Sequence, residues 1–256
     1  MNNRKQDQGF IRIYGKQPVS EALLGGWPVR EVFVRSGADD AFTREIKKQA
    51  ASLGVRVASV EPQRFDRDYP RQSQGVAATV REVPLRDVDD VLMDIPPGQD
   101  PFYVALDGIE DPHNLGAITR TALAMGVHAV VIPKHRTAAV SEGAVKASAG
   151  AVFRQPICQV PNIHYFIEWA KEKSMWVYGL EASAQSNIWS ADMAGPIALI
   201  IGGEGKGLAR LTRDRCDLLV RIPMSGQIGS LNASVACGMA IAEIQRQRER
   251  KASIRP

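Results

Sequence analysis

Three segments in the second half of the chain place glycine, asparagine and single charged residues directly after an apolar run and before a run of helical periodicity. They span residues 106–120, 200–208 and 222–234. The residues in them that could do chemistry are Asn114 and Arg120, then Gly202, Gly203 and Glu204, and finally Ser230 and Asn232. Parallel α/β proteins bind ligands where strands end and helices begin. We therefore expect one composite site made of glycine loops, amides, a carboxylate and a guanidinium.

Two common glycine-rich motifs are absent from these segments. A phosphate loop needs Gly, four residues and then Gly-Lys-Ser/Thr, but here Gly205-Lys206 has Ile200 at the first position and Gly207 at the last. The first segment lacks the Gly-x-Gly-x-x-Gly of dinucleotide-binding folds, since residues 107–111 read Asp-Gly-Ile-Glu-Asp. Nucleotide hydrolysis and hydride transfer are therefore disfavoured.

In order and spacing, the three segments resemble the three signature motifs of the SpoU (TrmH) family of RNA ribose 2'-O-methyltransferases, part of the SPOUT class. The resemblance covers roughly Phe102 to Arg246. It implies an enzyme that transfers a methyl group from S-adenosylmethionine to a ribose 2'-hydroxyl. It also implies a deep trefoil knot, which no strand pattern would predict because knotted chains are exceptional.

The resemblance places the bent cofactor among the loops of the second and third segments. Glycines let the main chain approach a ligand closely, and apolar side chains suit the walls of such a pocket. The residues expected to form it are Gly202, Gly203, Ile222, Ile228, Leu231 and Leu180, with Glu181 beside them. Without the resemblance, core packing would be the simpler explanation of Ile222 and Leu231.

Arg120 matches the principal catalytic residue of the family, next to the acceptor ribose. A guanidinium holds its proton in proteins, so a general-base role for Arg120 is difficult. We expect it instead to grip the phosphate beside the target ribose and to stabilise the developing alkoxide, which is worth about 3 kcal/mol or more. The phosphate, a water molecule or His113 is left as the proton acceptor. The alternative for Arg120 is an ordinary surface salt bridge.

The remaining site residues each have a structural alternative. Asn114 precedes a helical run and could simply cap it. Ser230 and Asn232 precede an alanine-rich helix, where capping and ligand binding are compatible. Glu204 lies among glycines and could be an exposed loop carboxylate, whereas the resemblance implies that it orients Arg120 or Asn114.

Strand-like and helical runs alternate from Phe102 onward. The predicted strands are residues 102–106, 129–132, 156–160, 176–180, 197–201 and 219–222. The predicted helices are residues 115–125, 143–152, 163–173 and 233–248. This alternation predicts an α/β domain whose parallel sheet is covered by helices on both faces.

The N-terminal region predicts a second, smaller α/β unit. Its short runs are residues 11–14, 19–24, 32–34, 42–53, 55–60 and 76–80. Residues 13–23 resemble the start of the small RNA substrate-binding domain, similar to ribosomal protein L30e, that precedes the catalytic domain in several SpoU enzymes. We expect this domain at 1–80, a Pro- and Gly-punctuated linker at 81–100, and the catalytic domain at 101–256.

Charge, cysteine and histidine content narrow the remaining possibilities. Residues 1–80 and 246–256 each carry a net charge of +4, and residues 81–245 carry −4, so the two ends should attract RNA. A solvated helix end explains the C-terminal charge equally well. Three widely spaced cysteines predict reduced, buried thiols, and four scattered histidines predict no metal site. With no signal peptide or membrane span in the sequence, we expect a cytoplasmic protein.

The overall pattern most resembles the bacterial enzymes that form 2'-O-methylguanosine in 23S rRNA. A transfer RNA ribose methyltransferase is the near alternative, because target choice depends on RNA shape. A non-catalytic RNA-binding factor of ribosome assembly is the alternative from another class. The resemblance also implies a homodimer packed through the last helix, for which residues 233–244 are suitably small and apolar.

Overall fold

The computed structural model describes residues 9–205, 207–226 and 229–254, whose strands form two sheets. The first elements are β1 (Phe10–Tyr14), α1 (Lys16–Leu24), β2 (Val29–Arg35), α2 (Ala41–Ser52), β3 (Arg56–Val60), α3 (Pro62–Asp68), β4 (Val76–Arg81) and α4 (Val88–Asp94). They are followed by β5 (Phe102–Asp107), α5 (Pro112–Ala124), β6 (Ala129–Pro133), α6 (Glu142–Ala147), β7 (Ile157–Val160) and α7 (Ile163–Glu172). The last are β8 (Trp176–Leu180), β9 (Ser186–Asn187), β10 (Ile197–Gly202), α8 (Arg210–Arg215), β11 (Leu218–Arg221) and α9 (Ala233–Ile254).

The N-terminal sheet has the strand order β1-β4-β2-β3, with β2 and β3 parallel and the other pairs antiparallel. Helix α2 shows how the local sequence sets this unit. The Asp40 side chain accepts hydrogen bonds from the Phe42 and Thr43 main-chain nitrogens and so begins the helix. Ile46 and Ala50 are then buried one helical turn apart. The strands and helices predicted for residues 11–80 are all present, with ends within three residues.

The C-terminal sheet has seven parallel strands in the order β7-β6-β5-β10-β8-β11-β9. Residues 102–106 of β5 are fully buried, as expected of a central parallel strand covered on both faces. All six predicted strands are present, whereas β9 and α8 were not predicted. The strand order reverses between β5 and β10, which is where open α/β sheets leave a crevice for ligands. The trefoil knot stays a prediction.

Helix α5 is held tightly at its amino end. Asp111 accepts a hydrogen bond from the His113 main-chain nitrogen (2.9 Å), and Pro112 is the first helical residue. Gly116 lies against α6, since a Cβ on it would be 2.5 Å from the Ala144 carbonyl oxygen. This packing fixes Asn114, which is 5% exposed, at the carboxyl edge of the sheet.

The stretch predicted as a linker, 81–100, contains an ordered helix. The Arg86 main-chain nitrogen donates to the Ile157 carbonyl (2.9 Å), and the Tyr103 hydroxyl donates to the Val88 carbonyl (3.2 Å). Helix α4 thereby packs against β6 and β7. Residues 86–94 thus add a layer to the C-terminal sheet, while the division of the chain into domains stays a prediction.

The two sheets are joined through α6 and the short 3-10 turn at Ala151–Phe153. The rings of Trp27 and Phe153 are 5.3 Å apart, and the Lys146 ammonium lies 5.2 Å from the centre of the Tyr14 ring. Because α6 and the turn also pack against α5, the N-terminal sheet is tied to the helix that carries Asn114 and Arg120.

Helix α9 is anchored near its carboxyl end. The Arg248 guanidinium donates to the carbonyls of Asp100 (3.0 Å), Pro101 (2.8 Å) and Gly195 (2.7 Å), and it lies 4.8 Å from the centre of the Phe102 ring. These contacts fix α9 across the amino ends of the central strands. Within the described part of the chain, no helix has the length and apolar character required to cross a membrane.

Candidate active site

A cavity of about 260 Å³ opens at the carboxyl ends of β8, β10 and β11, and we call it the first cavity. The predicted site residues that line it are Leu180, Gly202, Gly203, Glu204, Ile222, Ser230 and Leu231. Ile228, also predicted for the cofactor, lies outside the described residues. Residues from separate segments of the sequence thus meet in one pocket, although their roles stay predictions.

The glycines of the second segment allow its loop to fold back onto β10. A Cβ on Gly202 would lie 2.2 Å from the Gly207 carbonyl carbon, and one on Gly203 would lie 2.4 Å from the Gly108 carbonyl oxygen. Gly207 adopts a φ of +63°, in the left-handed region that favours glycine. These glycines are therefore needed for close main-chain contacts within the protein, and the resulting loop forms one wall of the first cavity.

Asn114, Glu204 and Asn232 form a hydrogen-bonded cluster that we call the polar triad. Asn114 Nδ2 donates to Glu204 Oε1 (3.0 Å), and Asn232 Nδ2 donates to Asn114 Oδ1 (3.0 Å) and to Glu204 Oε1. Among the described residues, Glu204 Oε2 has no hydrogen-bond partner. The triad therefore holds one carboxylate oxygen with two amides and leaves the second available to a ligand.

The hydrogen bonds show which residues of this cluster also cap a helix. Helix α5 is capped by Asp111, so the alternative that Asn114 serves only as its cap is wrong. Asn232 both caps α9 and joins the polar triad, because its Oδ1 accepts from the Ser234 main-chain nitrogen (2.9 Å) while its Nδ2 donates to Asn114 Oδ1 (3.0 Å). Glu204 contacts Asn114, as the resemblance implied, and not Arg120.

Arg120 is the predicted site residue that lies apart. It is exposed on α5, and it lines neither the first cavity nor the neighbouring cleft described next. Within the described ranges it makes no hydrogen bond or ion pair. The expected alternative, an intramolecular salt bridge, is therefore not seen there, and its guanidinium is available to an external anion.

A second cavity, which we call the second cleft, has a volume of about 840 Å³ and lies at the carboxyl ends of β5, β6, β7 and β10. Glu204 lines both cavities, whereas Asn114 lines only the second cleft and Ser230 only the first cavity. The polar triad therefore stands where the two cavities meet. Sequence reasoning missed this cleft, because the first two segments meet there with the loops after β6 and β7, which carry no recognisable motif.

Sequence reasoning also missed Ala182 and Ala236, which line the first cavity and lie outside the three segments. Neither residue type signals a binding site, and only tertiary structure brings them to the pocket. Glu181, expected there, accepts a hydrogen bond from the Leu208 main-chain nitrogen (3.4 Å) and so supports the glycine loop.

The thiols of the chain are poor candidates for covalent chemistry. All three cysteines are free, and burial raises the pKa of Cys158 and of Cys216 to about 12. Burial likewise raises the pKa of Cys237. They are therefore neutral thiols at physiological pH. In the described part of the chain, no cluster of three or more His, Cys, Asp or Glu side chains is arranged to hold a metal ion.

Comparison with protein families matches both parts of the chain. Residues 101–242 match the model of the SpoU rRNA Methylase family. Residues 12–85 match the model described as RNA 2'-O ribose methyltransferase substrate binding. The first match contains the whole polar triad, Arg120 and both described cavities.

Individual proteins show the same similarity over nearly the whole chain. A 23S rRNA (guanosine-2'-O-)-methyltransferase, RlmB, from Coxiella burnetii is 38% identical, covering 93% of this chain and 96% of the relative. The RlmB of Xanthomonas campestris is 42% identical over 86% of this chain and 89% of its own. The crystal structure of the SpoU methyltransferase AviRb from Streptomyces viridochromogenes, in complex with AdoMet, has a TM-score of 0.80 at 27% identity, covering 98% and 95%.

Proposed function

Because this chain belongs to the SpoU rRNA methylase family, we propose that it transfers the methyl group of S-adenosylmethionine to the ribose 2'-hydroxyl of a guanosine in 23S rRNA. The observation that carries this proposal is the polar triad at the junction of the two cavities. A carboxylate held by two amides beside an apolar pocket is suited to orienting a hydroxyl toward a bound donor. The related enzymes named for this reaction cover almost the whole chain.

The first cavity fits S-adenosylmethionine. Leu180, Ile222 and Leu231 provide apolar walls for a flat base, and the main chain at Gly203 and Gly207 lines the same space without side chains. When bound, S-adenosylmethionine supplies an electrophilic methyl group on a positively charged sulfur. The residues of this chain then have to exclude water, orient the ribose and stabilise the charge that develops on its oxygen.

In this proposal the polar triad and Arg120 have separate roles in the transfer of the methyl group. Glu204 Oε2 accepts a hydrogen bond from the ribose hydroxyl, while Asn114 and Asn232 keep the carboxylate in place through Oε1. Arg120 lines neither cavity, and in this proposal it binds the phosphate next to the target ribose from outside them, since its guanidinium is exposed and makes no ion pair among the described residues. Its fixed positive charge lowers the energy of the developing alkoxide.

We infer that two copies of the chain pair through α9 and α5. On α9, Val235 is 52% exposed and Met239 is 38% exposed, one turn apart, next to the small Gly238. A Cβ on Gly238 would lie 3.7 Å from Thr121 of α5, so this apolar face adjoins the helix that carries Arg120. A second copy packed against this face would place residues of the partner close to Arg120, which is exposed in the single chain.

The N-terminal domain is proposed to hold the RNA. Residues 12–85 match a substrate-binding family, and residues 1–80 carry a net charge of +4. Excess positive charge provides the sequence-independent affinity for a polyanion. Since ribosomal RNA is the substrate and the cysteines are free thiols, we propose that the protein works in the cytoplasm.

The test is incorporation of labelled methyl groups from S-adenosylmethionine into bulk RNA from cells that lack the protein. The wild type is expected to label RNA, and Arg120→Ala is expected to lower the rate about a hundredfold or more. Arg215→Ala is the matched control, since Arg215 makes a surface ion pair with Glu168 (2.7 Å) that contributes little stability. Equal rates for wild type and Arg120→Ala would remove Arg120 from the mechanism.

Mapping of ribose methylation in the same cells identifies the substrate. Loss of one guanosine mark in 23S rRNA is expected. Loss of a mark in transfer RNA instead would support the tRNA enzyme, and intact marks with no cofactor binding would support a non-catalytic assembly factor. The last two outcomes each contradict the proposal as stated.

A further inference from the structure

The second cleft contains polar groups that no intramolecular contact explains. Glu110, His135, Arg136 and His164 line it, and their side chains make no hydrogen bond or ion pair with another described residue. Thr212 also lines it, is 1% exposed, and its Oγ1 lacks a hydrogen-bond partner among the described residues. Leaving a buried hydroxyl unpaired is costly, and this hydroxyl belongs to a residue in the wall of the cleft.

The charges of the second cleft are unsuited to a phosphate. Among the described residues that line it, the carboxylates are those of Asp107, Glu110, Asp111 and Glu204, and the single guanidinium is that of Arg136. Carboxylates repel phosphate oxygens but accept hydrogen bonds from N–H groups. The ligand that matches this lining is therefore rich in N–H donors and has acceptors on another edge for the guanidinium.

Of the three carboxylates at the β5 end, Glu110 alone accepts no hydrogen bond from another described residue. Asp107 Oδ2 accepts from the Ala209 main-chain nitrogen (3.1 Å), and Asp111 Oδ1 accepts from the His113 main-chain nitrogen (2.9 Å). Within the described residues, Glu110 has no such partner, and it is exposed to the cleft. Its two oxygens can therefore accept a pair of adjacent N–H groups.

Guanine has the edges that these side chains require. Its N1–H and N2–H are adjacent donors that match the two oxygens of a carboxylate, and its O6 and N7 are adjacent acceptors that match a guanidinium. Adenine offers a donor next to an acceptor on the same edge, which leaves one carboxylate oxygen facing a lone pair. The rings of His135 and His164 provide surfaces on which a base can stack.

We propose that the second cleft receives the base of the guanosine whose ribose is methylated, with Glu110 accepting from N1–H and N2–H and Arg136 donating to O6 and N7. This inference rests on the proposed function. The polar triad stands between the cavities, so a base in the second cleft and a donor in the first cavity would have the ribose between them. Enzymes that act on a single nucleotide commonly turn it out of its stack and read it in such a pocket.

The test compares two RNA transcripts that differ in one nucleotide. Each is unmodified 23S rRNA made in vitro, with guanosine or adenosine at the position whose mark is lost in cells without the protein. The wild type is expected to prefer guanosine in kcat/KM. Glu110→Gln replaces one acceptor by a donor, and it should lower kcat/KM on guanosine about tenfold to a hundredfold and raise the relative rate on adenosine.

Two measurements separate this inference from the proposed function. Affinity for S-adenosylmethionine, measured by calorimetry, should be the same for wild type and Glu110→Gln, because Glu110 does not line the first cavity. Glu172→Gln, at the opposite end of α7 from the cleft, is the matched control and should leave both base preference and rate unchanged. If the wild type methylates RNA but Glu110→Gln keeps both the rate and the preference for guanosine, the inference is overturned. A wild type that methylates no RNA contradicts the proposed function, and the inference with it.

Thr212→Val provides a second variant that keeps side-chain volume. Removing the unpaired hydroxyl should not weaken the fold, but it should raise KM for the guanosine transcript several-fold if the hydroxyl contacts the base. An unchanged KM for Thr212→Val, together with an unchanged rate and base preference for Glu110→Gln, would exclude the second cleft as the base pocket.

Discussion

Asn232 takes part both in the start of helix α9 and in the polar triad. Its Oδ1 accepts from the Ser234 nitrogen and hydroxyl at the start of α9, and its Nδ2 donates to Asn114 and Glu204. The type of this residue pointed to a helix cap. The sequence could not show that the same amide reaches two partners from the other motifs, because neither partner is near it in the chain.

Substitution of Asn232 should separate these two contributions. Asn232→Ala is expected to lose both activity and about 1 kcal/mol of stability, since the cap is removed. Asn232→Ser keeps a capping oxygen but is too short to bridge the triad, so it should keep most of the stability and still lose activity. Urea denaturation and methyl transfer measured on the same samples test this. Equal activity of Asn232→Ser and wild type would show that the bridge is not needed.

At the scale of elements, the loop after β10 depends on contacts between main-chain atoms. Gly202 leaves space for the Gly207–Leu208 peptide, and the bridge between Gly203 and Gly207 closes the loop beside the first cavity. The glycine-rich sequence predicted a site at this point. It did not reveal that the glycines accommodate the protein's own backbone, because that requires knowledge of how the loop returns to its strand.

Gly202→Ala is therefore expected to displace this loop. The added methyl group would lie 2.2 Å from the Gly207 carbonyl carbon, and overpacking of this kind costs about 1–3 kcal/mol. Affinity for S-adenosylmethionine should fall as well, because the loop lines the first cavity. Gly195→Ala is the control, since its Cβ would meet no atom within 4 Å. The explanation fails if the two variants are equally stable and bind the cofactor equally well.

At the scale of the whole molecule, the exposed face of α9 and the exposed Arg120 on α5 point to an assembly of two copies. We propose that this apolar face, which adjoins a guanidinium with a proposed catalytic role, is covered by a second copy of the chain. The N-terminal sheet, tied to α5 through α6, would then lie at a fixed position relative to each active site.

Met239→Lys should prevent this pairing. A lysine at the centre of an apolar interface would leave a buried, unpaired charge, which strongly destabilises association. Light scattering at micromolar concentration should show two copies for the wild type and one for Met239→Lys, with activity lost in parallel. Arg250→Glu, farther along the same helix, should leave the mass unchanged. A wild type that is already monomeric would contradict the proposed dimer.

Local patterns in the sequence were enough to place most strands and helices and to select residues of the first cavity. A short apolar run predicts a strand buried on both faces, and an amphipathic run predicts a helix buried on one face. Each pattern can be recognised from a few neighbouring residues. The β8 strand was predicted with the ends that the structure shows, 176–180. Glycine, asparagine and charged residues directly after strands likewise indicated the residues of the first cavity. These residue types favour turns and loops over the interior of strands and helices.

Strand order and the second cleft depended on tertiary structure alone. Asn114 and Asn232 are 118 residues apart, and they meet because α9, which Asn232 begins, packs against α5, which carries Asn114. No local pattern records which strands become neighbours, since that choice depends on packing over the whole sheet. The same packing leaves Arg120 outside both cavities and gathers Glu110, Arg136 and Thr212 around one space. Residue types could suggest the chemistry, but only the folded chain decided which side chains share a site.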